Sequence, residues 1–321
     1  MDEKILEILR ARRESFVTAE EIGARAEMSK TTVFRHIHKL REEGYDIQSQ
    51  PHGGYRLVNI PDRLSAQELG WRLHTKTIAK KILAYDVVDS TNAVAFALAQ
   101  RGASEHTAVF AEGQKKGRGR LGRQWVSPKS KGIYCSLILR PKISPDQAAI
   151  VTLMAAVSCA QAIRKMCGLN ALIRWPNDIL VNDKKVCGIL TQMYVRDNSL
   201  EFIILGIGIN VNTGTSKLPR EASSLREECR DKSPICRIQL SQELLRHLDK
   251  EYAYLVHKGP EHIIECWSDF SALSGKRVKV YLANKSVEGQ ALGIDKKGAL
   301  IVRQDNGFRQ HFLAADAIKV R

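Results

Sequence analysis

The sequence predicts an α+β protein in three parts: a winged helix-turn-helix (residues 1–60), a central mixed β-sheet with helices (64–270) and a small SH3-like β-barrel (271–321). Three observations carry that prediction. The first sixty residues read as three short amphipathic helices followed by two short extended runs. Strand-like and helix-like segments then alternate, as in a sheet with helices packed on it. After Ser274-Gly275 the pattern changes to short strands broken by tight turns.

In the first part, Ile5, Leu6, Ile8 and Leu9 lie at helical spacing. Thr18-Ala-Glu-Glu21 is a capping box opening a second helix around Ile22. Ser29 caps a third helix, where Val33, Ile37 and Leu40 form an i, i+4, i+7 stripe. Gly44, Gly53 and Gly54 punctuate the runs Tyr45–Gln48 and Tyr55–Val58 as a hairpin does. With the stripe inward, Lys30, Thr31, Thr32, Arg35 and His36 face outward behind Ser29. That is where a recognition helix meets bases and phosphates in the major groove.

Asn59-Ile-Pro-Asp62 reads as a linker. Beyond it, strands are expected at Ile82–Val88, Thr107–Ala111, Ile133–Leu139, Val186–Tyr194 and Phe202–Val211. Helices are expected at Asn92–Arg101, Gln147–Cys167 and Gln242–His257, the last with Leu244, Leu248, Tyr252 and Leu255 on one face. In the final part, turns are expected at Ala283-Asn-Lys285, Asp295-Lys-Lys-Gly298 and Asp305-Asn-Gly307.

At 321 residues with 44% hydrophobic and 26% charged residues, the chain has ample material for a core, and disordered and collagen-like classes are excluded. The longest apolar run, Ala148 to Ile163, carries Thr152, Ser158 and Gln161 and reads as too short and too polar for a membrane span. Met1-Asp-Glu-Lys4 lacks the basic end and apolar centre of a signal peptide. Seven cysteines with no CxxC pair read as reduced thiols of a cytoplasmic protein. The net charge of +15 is uneven: residues 1–60 are neutral, with ten basic and ten acidic side chains, and the excess lies further on. Much of the positive charge is therefore available for anionic small molecules or an acidic protein partner.

Gly117-Arg-Gly-Arg-Leu-Gly122 matches GxGxxG, but a dinucleotide fingerprint opens a helix directly after a strand. Here the polar stretch Arg123-Gln-Trp-Val-Ser-Pro128 follows instead. Glycines permit close backbone approach and arginines grip phosphate or carboxylate, so Arg118, Arg120 and Arg123 describe a loop that closes on a polyanion. Arg174-Trp-Pro-Asn-Asp178 sets an amide and a carboxylate after a rigid turn, suited to a metal–phosphate complex or an amine. Lys185 enters the apolar run Val186–Leu190 and is expected on the sheet as a fixed charge. Asp89-Ser-Thr-Asn92 is either a helix cap or a set of hydroxyls and an amide for a small polar ligand. Gly206-Ile-Gly-Ile-Asn210 is a strand whose glycines admit a ligand against the backbone. No His/Cys set has zinc-site spacing, and no metal ligands are expected.

Taken in order, Asp89-Ser-Thr-Asn92, Gln114 with Gly117–Arg123, Trp125, Arg174–Asp178, Lys185 with Gly188, and Gly206–Asn210 resemble the biotin protein ligase family. With the helix-turn-helix, the chain resembles the family's bifunctional ligase–repressor form over essentially its whole length. The resemblance implies a catalytic fold like that of class II aminoacyl-tRNA synthetases. It also implies a two-step reaction in which biotin and ATP give biotinyl-5′-adenylate, and biotin then passes to a lysine of a biotin carboxyl carrier protein. Further implications are Mg²⁺, operator DNA and a homodimer when adenylate is bound.

On the same resemblance, Lys185, Arg118 and Asp178 are catalytic. Ser90, Thr91, Asn92, Gln114, Gly117, Arg118, Gly119, Arg120, Trp125, Lys185, Gly188, Gly206 and Gly208 bind biotin. Arg118, Arg120, Arg123, Asn177, Asp178, Lys185 and Asn210 bind ATP, and Asp178 also orients the incoming lysine. Two positions depart from the family pattern: Arg174 replaces a common Lys, and Lys116 replaces a small residue before the loop. The competing readings are a biotin-sensing repressor without useful catalysis and a lipoate-type acyl ligase.

Overall fold

The structure is a computed structural model describing residues 1–51, 53–282, 285–315 and 317–320, and it divides into two compact units, Met1–Arg63 and Leu64–Arg321. In the first unit, α1 (Asp2–Ala11) buries Ile5, Leu6 and Leu9 against α2 (Ala19–Ala26) and α3 (Lys30–Glu42). Both expected caps form: Thr18 Oγ1 accepts from the Glu21 amide at 3.1 Å and Ser29 Oγ from the Thr32 amide at 3.2 Å. Val33, Ile37 and Leu40 point inward, joined by Ile47 and Leu57 of the hairpin β1 (Asp46–Gln50) and β2 (Gly54–Asn59).

The second unit is built on a seven-stranded mixed sheet. Its strands are β3 (Lys81–Val88), β4 (Thr107–Gln114), β5 (Gly132–Leu139), β6 (Leu172–Arg174), β7 (Asp178–Val181), β8 (Lys184–Arg196) and β9 (Ser199–Asn210). Their order is β3-β4-β5-β9-β8-β7-β6, with only β3 and β4 parallel. The short α4 (Ala66–Gly70) precedes the sheet, and α5 (Thr91–Gln100) covers one face through Ala95 and Ala99 on Val109, Ile138, Phe202 and Ile204. The other face carries α6 (Ala148–Cys167), α8 (Arg237–Lys258) and α9 (Glu261–Phe270), with α7 (Leu225–Glu228) in the β9–α8 connection.

Helix α6 corrects one expectation. With the turn before it, Pro145–Cys167 is long and apolar enough to cross a membrane, where the sequence reads as too short and too polar. The helix instead spends that apolar surface inside the molecule, and 72% of its most apolar stretch is buried under the sheet, α8 and α9. A helix apolar all round is what a fully enclosed core position requires.

The C-terminal strands β10 (Arg277–Leu282), β11 (Lys285–Ile294), β12 (Leu300–Arg303), β13 (Arg309–Phe312) and β14 (Ala317–Val320) form an antiparallel sheet where the barrel is expected. Its order is β13-β12-β11-β10-β14. The Asp295 and Asp305 turns form as expected, the first held by Asp295 Oδ1 accepting from the Lys297 and Ala299 amides. Two residues of the Ala283–Lys285 turn, 283 and 284, lie outside the described residues.

Sequence reasoning also misses α4, β6, β7, α7 and α9, all ten residues or shorter. It misses a metal-capable grouping as well: packing of α8 on α9 brings Glu251 to His262 and Cys266, where sequence spacing shows no such set.

One buried ion pair joins distant parts of this unit. Glu112 of β4 and Arg237 at the start of α8 are 3% and 0% exposed, and Arg237 Nη1 donates to Glu112 Oε2 at 2.8 Å. The same carboxylate accepts from the Leu64 amide at 2.6 Å and from Ser130 Oγ at 3.0 Å. Arg237→Ala strands a buried carboxylate and is expected to lower stability by about 3–5 kcal/mol. Urea unfolding with unchanged slope measures it, and a loss under about 1 kcal/mol would show that the pair is not structural.

Candidate functional site: a cationic cavity over a glycine floor

Along β9 the residues on one face run Phe202, Ile204, Gly206, Gly208, Asn210. The first two lie under α5, and the glycines then leave the strand bare. Gly208 stands opposite Gly188 of β8, and Gly206 opposite Leu190. Side chains fill the space those glycines leave. A Cβ on Gly208 would sit 2.5 Å from Trp125 Nε1, and one on Gly206 would collide with the Asn92 amide. The result is a cavity of about 470 Å³, of the size that holds a small ligand.

The N-terminus of α5 forms its neutral polar end. Ser90 occupies the N-cap position, but its side chain makes no capping hydrogen bond, so the helix-cap reading does not account for it. The Thr91 amide donates to Gln114 Oε1 at 2.8 Å, and Gln114 Nε2 donates to Ser127 Oγ at 2.9 Å. Asn92 Nδ2 donates to Gln192 Oε1 and the Leu190 carbonyl, and Ser136 Oγ lies 2.7 Å from Asn92 Oδ1. Asn92 therefore braces the wall through protein partners. Outside, Lys116 Nζ lies 2.8 Å from Asp89 Oδ2, and this ammonium holds the Asp89 carboxyl below its usual range.

The opposite end is charged. Hairpin β6–β7 turns through Trp175-Pro176-Asn177, whose Trp175–Pro176 bond is cis, and sets Arg174 opposite Asp178. Arg174 Nη2 donates to Asp178 Oδ2 at 2.9 Å, while Lys185 Nζ stands 2.5 Å from Asp178 Oδ1. Lys185 also lies 5.3 Å from the Trp125 ring centroid. Its place at the start of β8 is fixed by backbone pairing to Glu221 and Ser223. Asn177 Nδ2 is tied to the Ile189 carbonyl, and its Oδ1 accepts from Arg120 Nη1 at 3.3 Å. Asn210, also against the cavity, donates to the Ser223 carbonyl.

The arginine–glycine segment is a small hairpin loop: Arg118 pairs with Gln124, the Gly119 amide donates to the Arg123 carbonyl and the Trp125 amide to the Gly117 carbonyl. It opens no helix of the dinucleotide-binding kind, containing only one short turn of 3₁₀ helix at Arg120–Gly122. Arg118 and Arg123 are exposed, and Arg120 is pinned between Asn177 and the Ala315 carbonyl. Trp125 Nε1 is buried over Gly208 with no hydrogen-bond partner.

Of the expected ligand residues, Ser90, Thr91, Asn92, Gln114, Arg118, Gly119, Arg120, Arg123, Trp125, Asn177, Asp178, Lys185, Gly188, Gly206, Gly208 and Asn210 line this cavity. Gly117 does not; it is buried behind the wall. Sequence reasoning misses the walls from Leu218–Ala222 and from Ala315 and Ile318, which no local pattern announces. The hard-oxygen donors here face cations: Asp178 Oδ1 receives no hydrogen bond but has the Lys185 ammonium against it, Asp178 Oδ2 is held by Arg174, and Asn177 Oδ1 by Arg120. They do not fit a protein-bound Mg²⁺ in this arrangement.

In the first unit, Ser29, Lys30, Thr31 and Arg35 are exposed on α3, and Thr32 is partly so. His36 corrects its expectation. Its ring points back to α1, with Nδ1 2.5 Å from Asp2 Oδ1, and Lys39 holds the other oxygen. Burial opposes the charge on Asp2, but these two partners outweigh it and keep the carboxyl below its usual range. Phe34, unnoticed in the sequence, is 46% exposed beside Lys30.

Residues 84–210 match the biotin/lipoate A/B protein ligase family, 2–56 an HTH domain and 273–320 the biotin protein ligase C terminal domain. The bifunctional ligase/repressor BirA of Bacillus subtilis (strain 168) is 35% identical over 314 residues, covering 97% of this chain and 96% of its own. The chain belongs to the biotin/lipoate A/B protein ligase family. Within that family its domain set is that of the bifunctional ligase/repressors. The BirA protein of Escherichia coli (strain K12) is 29% identical over 301 residues, 90% of this chain and 89% of its own. The biotin protein ligase from Aquifex aeolicus, solved in complex with biotin and ATP, is 25% identical with a TM-score of 0.63, covering 75% of this chain and all of that one.

Gly208→Val fills the floor of this family member's cavity and forces Trp125 aside. A changed tryptophan emission with cooperative unfolding retained is expected. Unaltered emission would mean the indole does not rest on the strand.

Proposed function

We propose that this chain is an ATP-dependent biotin–[biotin carboxyl carrier protein] ligase that also acts as a biotin-dependent repressor of biotin synthesis genes. The observation that carries the reading is the Asp178-anchored Lys185, set beside Trp125 over the glycine floor in a chain with a helix-turn-helix at its start. Family membership supplies the chemistry. Trp125, Gln114 and the Ser90–Asn92 corner are assigned to biotin, its apolar rings against the indole and bare strand. Gly117 shapes the loop from behind.

In the first step a carboxylate oxygen of biotin attacks the α-phosphorus of ATP. An O–P bond forms, the bond to the β-phosphate bridging oxygen breaks, and pyrophosphate leaves. Two anions must meet for this, so preorganised cations carry the catalysis. Lys185 is held rigid by Asp178 and acts at the reacting centre, with Arg118, Arg120 and Arg123 over the phosphates. Since the protein's oxygen donors carry cations of their own, Mg²⁺ enters with the nucleotide as part of the substrate. In the second step the neutral amine of the acceptor lysine attacks the acyl carbon of biotinyl-5′-adenylate: a C–N bond forms, the acyl C–O bond to AMP breaks, and the amine's proton is released. Asp178 orients that amine once Arg174 yields Oδ2 to it, and the arginine loop keeps water from the mixed anhydride.

The N-terminal unit binds operator DNA through Ser29, Lys30, Thr31, Thr32 and Arg35, with His36 acting indirectly by seating α3 on α1. Its net charge of zero puts the burden on this one helix face rather than on the whole surface. Reading two half-sites requires the homodimer that adenylate favours. We place the protein in the cytoplasm and off the membrane: the seven cysteines have no disulfide-framework spacing, and the span-length apolar helix found among the described residues is inside the core.

ATP–pyrophosphate exchange on purified protein tests the ligase, with biotin and lipoate as separate additions. Exchange with biotin alone is expected. Exchange with lipoate alone would change the substrate, and no exchange alongside biotin binding would leave a sensor. Lys185→Ala is expected to slow exchange by ~10²-fold or more, and a near-normal rate would remove Lys185 from the reaction.

Arg35→Ala is expected to weaken operator binding while leaving exchange intact. Loss of both together would overturn the division of labour between 1–60 and the ligase regions 64–270 and 271–321.

A further inference from the structure

Far from the cavity lining, on the opposite side of the sheet, three metal-ligating side chains converge between α8 and α9. His262 and Cys266 are four residues apart on α9 and so share one face of it. Helix α8 supplies Glu251, which is fully buried. His262 Nε2 lies 3.6 Å from Cys266 Sγ and 3.0 Å from Glu251 Oε2, and all three ligand atoms fall within 4.8 Å of one another. Ligands around a tetrahedral zinc stand about 3.3–3.6 Å apart at ordinary Zn–N, Zn–O and Zn–S lengths. The His262–Cys266 separation is that of such a shell, and His262 and Glu251 stand a few tenths of an ångström closer.

A second observation points to an occupant. Glu251 Oε2 is buried and receives no hydrogen bond, even though the imidazole is in range. Next to it, Gln161 of α6 reaches Glu251 Oε1 with its Nε2 at 3.4 Å, and the Gln161 Oε1 is likewise buried without a partner. The imidazole contact at 3.0 Å lacks the alignment of a hydrogen bond and so leaves Oε2 unsatisfied. Buried oxygens without donors ask for a cation.

We propose that Glu251, His262 and Cys266 bind one divalent transition cation of the zinc class, clamping α8 to α9. The fourth position falls to the Gln161 amide oxygen or to water. Binding replaces the S–H bond of Cys266 by an S–metal bond and releases the proton to solvent. One thiolate and one carboxylate then neutralise the ion's double charge, which suits a site whose carboxylate is fully buried. Lys250, 3.8 Å from Glu251 Oε1 but more than half exposed, can swing away into water. His262 is 32% exposed, so the site is reachable from solvent on that side. The site shares no residue with the cavity and stands independently of the ligase reading.

The test uses the full-length, tag-free protein with thiols held reduced by a non-thiol reductant, titrated with Co²⁺ alone and then Zn²⁺ alone. One Co²⁺ per chain is expected, with a thiolate-to-cobalt charge-transfer band that Zn²⁺ abolishes by displacement. Cys266→Ser should remove the band. His262→Asn should weaken affinity on the order of 100-fold or more, at least the effect of losing a ligand's outer-shell partner. Cys229→Ser, outside the cluster, should leave the band unchanged, and far-ultraviolet circular dichroism checks that each variant is folded. Absence of the band in the unaltered protein would overturn the proposal, as would its survival in folded Cys266→Ser.

Discussion

The Glu112 carboxylate is the constraint on which the rest of the ligase unit hangs. It is buried on β4, two residues before the strand ends at Gln114. Its oxygens accept from Leu64 where the unit begins, from Ser130 where the arginine–glycine segment returns, and from Arg237 where α8 starts. The Ser130 amide also donates to the Glu112 carbonyl. One residue thus closes both feet of the segment between β4 and β5. The loop above can be rich in glycine and exposed arginine without losing its place, because its base is fixed by a charge that has nowhere else to go. An ion pair of this kind adds little net stability over an apolar pair, yet removing one partner is severe. It specifies an arrangement more than it strengthens one.

The same logic recurs at the charged end of the cavity. Asp178 is held in register by β7, Arg174 by β6 and Lys185 by β8, so three strands position three charges that meet at one carboxylate. A lysine held this way loses little further freedom when an anion arrives, which is what transition-state stabilisation by a fixed charge needs. Trp125 and the glycines set the other limit. With no side chains on Gly188 and Gly208, the indole lies directly against the strands, its unpartnered N–H buried over Gly208. The fixed ammonium of Lys185 thus stands beside the indole over bare backbone, with the neutral polar corner at Thr91 and Asn92 at the far end.

Much of this was legible in the sequence because it is written locally. Period-2 glycines at 206 and 208, helix caps at Thr18 and Ser29, and the Val33–Ile37–Leu40 stripe each depend on neighbours a few residues away, and each forms as read. The order of the cavity segments along the chain was legible too, since a family resemblance is carried by motifs in series. His36 shows where local reading stops. Periodicity puts it at the edge of the outward face of α3, but Asp2, thirty-four residues earlier, turns its ring inward. Helix α6 shows the same limit from the other side. Its composition matches a membrane span, and only the packing of α8, α9 and the sheet around it reveals a core helix.

What sequence could not show are the contacts assembled from three or more distant segments. Ala315 receives Arg120 across 195 positions, and the Leu218–Ala222 wall reaches the cavity only because β8 pairs with it at Lys185. Glu251, His262 and Cys266 are a sharper case. A four-residue His–Cys spacing on a helix is too common to signal a ligand set, and the third member comes from a different helix whose rotation is set by Leu244, Leu248, Tyr252 and Leu255 facing the core. With those four fixed inward, residue 251 has no choice but to lie between α8 and its neighbours, and a carboxylate there is buried whatever its partner. Glutamate is poorly suited to such a position unless something positive shares it. The hydrophobic stripe that folds α8 is therefore also what creates the demand for a counter-charge beside His262 and Cys266.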